Sequence, residues 1–178
     1  MEYEKKIVSA QDMFPVMLEL LDKKRQASFI VTGMSMWPFL CHGRDSVIIE
    51  ACDVNRIKKG DIVLISVLGK QYLLHRVTKI LPEGFETTGD GNCFHDGVFP
   101  RSFVKARVSC IIRKGKRINC FSIPWKFIFR CWMLLFPVRN QLLFLLRELS
   151  KIKDRCSYVM ISRLNTKDSQ TWQKKNKS

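Results

Sequence analysis

Between Ser28 and Arg113 the chain is a succession of short, β-branched, apolar runs broken by Gly-Asp turns. The runs are Phe29-Ile30-Val31, Val47-Ile48-Ile49, Ile62-Val63-Leu64-Ile65, Tyr72-Leu73-Leu74, Val77 to Ile80 and Val104 to Ile112. Strands this short, with turn signals about every ten to fifteen residues, bury their apolar faces by pairing with close neighbours, which argues a mainly β (α+β) fold built on an antiparallel sheet or open barrel. Leu68-Gly69-Lys70-Gln71 reads as a hairpin turn, because Gly69 can take the positive φ such turns need, and this places His75 on the returning strand. A chain of 178 residues suffices for one core of ordinary size, so one main domain is expected.

Helices are expected on either side of this region. From Ser9 to Lys24 the residues Met13, Phe14, Met17, Leu18 and Leu21 recur at helical spacing. Ser9 and Asp12 mark the start, Pro15 is tolerable if it falls in the first turn, and Asp22-Lys23-Lys24-Arg25 ends the helix in solvent. Beyond Asn119 the text becomes FSIPWKFIFRCWMLLFPVRNQLLFLLREL, whose longest uncharged runs, Cys131 to Val138 and Asn140 to Leu146, fall well short of the ~20 residues of a spanning helix. Pro137 should split this stretch into two amphipathic helices. Trp125, Phe127, Phe129, Trp132 and Phe136 suit the headgroup boundary of a membrane, so an in-plane anchor is expected rather than a helical hairpin packed on the sheet or a single crossing. The expected organisation is a helix over residues 1–27, a catalytic domain over 28–117, interfacial helices over 118–152 and a basic tail over 153–178.

Charge supports that division. Residues 111–178 hold 16 of the 31 Lys+Arg but 3 of the 16 Asp+Glu, so nearly all of the net charge of +15 lies in the last third. Such a segment seeks an anionic surface, and its Leu-rich runs fit phospholipid better than nucleic acid, which is not expected as a partner. Seven cysteines without a Cys-x-x-Cys pair favour reduced thiols. Cys41-His42 and Cys93-Phe94-His95 lack the paired spacing of a structural zinc site, so neither metal nor cofactor is expected. The charged N-terminus, MEYEKKIVSAQDMF, has no apolar leader or anchor. With the thiols, it leads us to expect a membrane-associated protein on the cytoplasmic face.

Within the β region, Ser35, His75, Asp90 and Asp96 arrive in order over one compact stretch. A serine hydroxyl attacks an acyl carbon only if a base takes its proton, and a neutral imidazole suits that task. His42 and His95 compete as bases, but His75 alone lies in a strand-borne His-Arg-Val. The Ser35 backbone N–H is the first candidate to stabilise an oxyanion. Gly33 lets the backbone turn and approach substrate, and Met36 and Trp37 offer apolar surface beside the site.

Four segments together resemble the type I signal peptidases, and their histidine-dependent branch more than their lysine-dependent one. Gly33-Met34-Ser35-Met36-Trp37-Pro38 is similar to the family's nucleophile box, and Gly43-Arg44-Asp45 with Lys59-Gly60-Asp61 to its strand entries. His75-Arg76-Val77 is similar to its base box, and Thr88-Gly89-Asp90-Gly91-Asn92 with Asp96 to its acidic segment. The resemblance covers roughly Ile30 to Lys114. It implies a membrane-associated serine endopeptidase that cleaves signal or leader peptides from a peptide or preprotein substrate through a Ser35–His75 acyl-enzyme mechanism. Asp96 is the first choice, and Asp90 the second, to orient His75. Thr32, one place further from Ser35 than the hydroxyl that lysine-type relatives use, or another backbone N–H would complete the oxyanion hole. The alternative is a catalytically inactive relative serving as a peptide-binding or membrane scaffold. The sequence leaves the oligomeric state open.

Overall fold

The computed structural model describes residues 10–67 and 71–152. By contacts the chain forms two compact units, one running to Leu135 and one from Phe136 onward. The division expected after residue 117 therefore moves to the break beside Pro137, and the first C-terminal helix belongs with the sheet.

In the first unit, helix α1 (Ala10–Asp22) precedes strands β1 (Ala27–Ile30), β2 (Asp45–Glu50), β3 (Ile62–Val67), β4 (Gln71–Ile80), β5 (Phe85–Thr88), β6 (Gly97–Phe99), β7 (Val104–Arg113) and β8 (Lys116–Asn119). Helix α2 (Ile123–Leu134) follows. The strands form one antiparallel sheet in the order β1-β2-β7-β3-β4-β5-β6, with β8 paired to β7. The fold is the expected mainly β one, an open half-barrel with an N-terminal helix and C-terminal helices.

The uninterrupted apolar text of β3 is explained by burial on both faces. Ile62 and Leu64 enter the larger core with Phe14, Leu21, Val47, Ile49, Val108 and Phe129, while Val63 and Ile65 join Ile57, Val77, Phe85 and Val104 on the other side. The runs Tyr72–Leu74 and Val77–Ile80, read separately in the sequence, are one ten-residue strand that carries His75 opposite Val63. The expected turn at Gly69 lies outside the described residues, as do the Ser9 start signal and the tail beyond Ile152. Three strands were not anticipated. β5 (FETT) and β8 (KRIN) are short and partly polar, and β6 is a three-residue GVF. Pro15 falls past the first turn of α1, where it removes one backbone donor. The neighbouring Phe14 and the distal Leu21 hold the helix on the core despite that loss.

One face of α2 is buried. Phe129 and Trp132, expected at a membrane boundary, pack instead edge-on against Phe39, at ring separations of 5.3 and 5.4 Å. In the second unit a 3-10 turn over Phe136–Val138 leads into a helix over residues 139–152, on which Phe144, Leu145, Leu149 and Ile152 are exposed. Among the described residues no single helix is long and apolar enough to cross a membrane.

Candidate active site

Ser35 sits on the loop between β1 and β2, and the residues around it fix its presentation. Met36 and Leu40, four apart, are both buried in the larger core, and Leu40 N–H donates to the Met36 carbonyl at 2.8 Å. That anchor turns the half-buried Ser35 outward. Gly33, two residues earlier, has φ +86°, a backbone conformation for which glycine is needed, and its N–H donates to His42 Nδ1 at 3.1 Å. The loop's far end is tied at Asp45. This fully buried carboxylate accepts from Cys41 N–H, from Arg44 and, across the sheet, from Arg113. Burial pushes the Asp45 carboxyl up, but the hydrogen bonds from Arg44 and Arg113 outweigh it and hold the group at about 2.

His75 and Arg76 are neighbours on β4, and strand alternation sends them to opposite faces. His75, nearly buried, places Nε2 2.9 Å from Ser35 Oγ and Nδ1 2.6 Å from Asp96 Oδ2. Asp96 is itself fixed: Thr87 Oγ1 donates to its Oδ2 at 2.8 Å, and its backbone N–H donates to the Thr87 carbonyl at 3.0 Å. Because a carboxylate only accepts, the Nδ1 proton belongs on the Asp96 side. Nε2 is then left free to accept from the serine hydroxyl. The geometry is that of a nucleophile, a base and an orienting carboxylate in one hydrogen-bonded chain.

The structure places Asp90 away from this chain, contrary to its expected role as a second support for His75. Both its oxygens take the Arg76 guanidinium, at 2.8 and 2.7 Å, and both side chains are 1% exposed. Arg76 also donates to the Gly60 carbonyl at 2.8 Å and lies 3.9 Å from the centre of the Phe129 ring, while Trp132 Nε1 donates to the Asp90 carbonyl. Asp90 is thus a buried strut, and its neighbours explain its place. Gly91 N–H donates to the Ser35 carbonyl at 2.7 Å, and a Cβ at Gly89 would stand 2.5 Å from the same oxygen. The acidic turn holds the nucleophile loop by its backbone, and only glycine fits so close.

Of the remaining candidates, Thr32, Gly33 and Met36 line, with Ser35 and His75, a cavity of about 210 Å³ walled by Phe14, Phe29, Tyr72 and Leu74. Met36 contributes from a buried position, whereas Thr32 is exposed at the rim. The competing histidines lie elsewhere. His42 braces Gly33, and His95 Nδ1 lies 2.7 Å from Thr88 Oγ1 and 3.1 Å from Glu86 Oε1. Sequence reading missed Thr87, Arg76 and the α2 pair Phe129 and Trp132. The Thr87-Thr88 pair ahead of the acidic turn was the one available hint, since a hydroxyl two residues before a Gly-Asp turn can reach back into it. Among the described residues no cluster of His, Cys, Asp and Glu could hold a metal ion. Comparison with family models, curated proteins and solved structures finds no match to this chain.

Proposed function

We propose that this protein is a membrane-associated serine endopeptidase acting on signal or leader-like peptides. The observation that carries the reading is the unbroken chain Ser35 Oγ, His75 Nε2, His75 Nδ1, Asp96 Oδ2 at 2.9 and 2.6 Å. In the reaction His75 takes the Ser35 proton as Oγ attacks the scissile carbonyl, and Asp96 accepts from the resulting imidazolium. The proton then passes to the leaving amine, whose C–N bond breaks to leave an acyl-Ser35 ester. Water, deprotonated by the same ring, hydrolyses the ester. The Ser35 N–H is the first oxyanion donor by position, and the Thr32 hydroxyl at the cavity rim is the candidate second.

The proposed substrate class is supported by the cavity and the sheet. The resemblance to the signal peptidases implies small side chains next to the cut, and the cavity walled by Phe14, Phe29 and Tyr72 beside Ser35 would receive them. β1, at one end of the sheet, offers an edge along which an extended peptide adds as a strand. Membrane association rests on the basic last third and on the exposed apolar residues of both C-terminal helices. Orientation toward the cytoplasmic face remains part of the proposal and rests on the cysteine usage.

Labelling with a fluorophosphonate probe tests the mechanism. Wild-type protein should be acylated at Ser35, and Ser35→Ala should neither label nor cleave a leader-peptide reporter. Labelling at another residue, or cleavage by Ser35→Ala at the wild-type rate, overturns the serine mechanism.

A further inference from the structure

A second recess, of about 350 Å³, lies in the first unit and shares no lining residue with the cavity at Ser35. Five cations face it, Lys58, Lys59, Arg107, Lys126 and Arg130, against the single carboxylate of Asp61. That carboxylate is already engaged: its Oδ2 accepts from Lys58 N–H at 3.0 Å and lies 3.7 Å from Arg107 Nη1. Arg107 stacks over Phe121 at 4.4 Å and pairs with Glu50, yet its Nε is buried with no acceptor among the described residues. Lys58, Lys59, Lys126 and Arg130 make no ion pair among the described residues. Four like charges held around one concavity repel each other, and a doubly liganding anion such as a phosphate relieves that repulsion.

We propose that this recess binds the phosphate of an anionic phospholipid, with the lipid's apolar part lying over the outer stripe of α2. The stripe selects the source of the phosphate. Ile123, Phe127 and Leu134 recur at helical spacing with Arg130 between them and are 84%, 68% and 78% exposed, beside the Lys126 and Arg130 that wall the recess. A soluble phosphate gains nothing from such a surface. Nucleic acid needs flat rings on which bases stack, and two of the three residues are aliphatic. Acyl chains fit both the chemistry and the placement. The proposal rests on the membrane-associated reading above and deepens it from a diffuse charge attraction to a defined headgroup site.

The test is flotation of the full chain with phosphatidylcholine vesicles, alone and mixed with phosphatidylglycerol. It compares Lys58→Gln/Lys126→Gln with Lys116→Gln/Arg117→Gln, which removes equal charge from exposed positions on β8. The recess pair should lose at least tenfold more affinity for the mixed vesicles than the β8 pair. Monomeric short-chain phosphatidylglycerol should shift the amide resonances of Gly60, Asp61 and Phe121 at concentrations where glycerol 3-phosphate does not. Equal losses in the two double variants overturn the headgroup site while leaving membrane association standing. A wild-type chain that floats with neither vesicle overturns both. Glycerol 3-phosphate or a short single-stranded oligonucleotide binding as tightly as the lipid overturns the choice of lipid.

Discussion

Asp90→Asn and Asp96→Asn make the same chemical change six residues apart, and the structure assigns them opposite consequences. Asp90 and Arg76 are each 1% exposed and joined by two hydrogen bonds, so the amide leaves a buried guanidinium without its counter-charge. Breaking a buried pair in this way costs about 3–5 kcal/mol. Arg76 keeps its bond to the Gly60 carbonyl and its place over Phe129, which puts the expected loss near the lower end, at about 3 kcal/mol. For a chain of this length that lowers the unfolding midpoint by roughly 6–12 °C. Asp96 instead hydrogen-bonds His75 and Thr87, neither of them a buried guanidinium, and its side chain is 10% exposed. An amide there can donate to Nδ1 and force the proton onto Nε2, which abolishes the base. The expected cost is on the order of 10³–10⁴ in kcat with stability within about 1 kcal/mol of wild type. Thermal unfolding by circular dichroism and peptide cleavage measured well below both midpoints separate the two effects. Should Asp90→Asn melt with wild type, or lose more kcat than Asp96→Asn, the division into strut and orienting carboxylate is wrong.

Gly89→Ala should lower kcat on the order of 10²-fold with a smaller effect on KM. The new Cβ, 2.5 Å from the Ser35 carbonyl, forces the nucleophile loop back by roughly 1 Å, and the probe-labelling rate reports it directly. His75→Ala should lose nearly all cleavage of a reporter peptide, since among the described residues no other group within hydrogen-bond reach of Ser35 Oγ can take its proton. His42→Ala and His95→Ala should keep activity within about tenfold, and their kcat values measured side by side check the assignment. The Asp45 carboxyl, held at about 2 when folded, is depressed from its ordinary 3.8, so its contribution is present above that ordinary value and is lost as pH falls through the folded one. The stability gap between wild type and Asp45→Asn should therefore shrink by about 2 kcal/mol between pH 4 and pH 2, as followed by urea unfolding at several pH values.

The sheet was legible where a strand is buried on a face and carries β-branched text, as in β2, β3 and β7. It was not legible in FETT, KRIN and GVF, whose pairing is imposed by neighbouring strands rather than by their own hydrophobicity. The hydrogen-bonded pair Ser35 and His75 could be read as candidates because acyl-transfer chemistry demands particular side chains. The partner of Asp90 could not, since an aspartate beside a glycine turn looks alike whether it orients an imidazole or neutralises an arginine. That choice is made by burial, and the burial comes from α2. The same cause misled the reading of Phe129 and Trp132. An aromatic residue suited to a lipid boundary is equally suited to cover a buried guanidinium, and only the position of the helix on the sheet decides between them.

The adjacency of His75 and Arg76 on β4 has a consequence for how the molecule matures. Side chains on a strand alternate, so pairing β4 one residue out of step with β3 would bring Arg76 or Leu74 to the place of His75 beside Ser35, and Val77 or His75 to the place of Arg76 under Phe129. Such a misthreaded chain would lack a proton acceptor at the serine and would also leave Asp90 buried without a cation. Two consecutive letters thereby tie the register of β4 both to the hydrogen bond at Ser35 and to the neutralisation of Asp90.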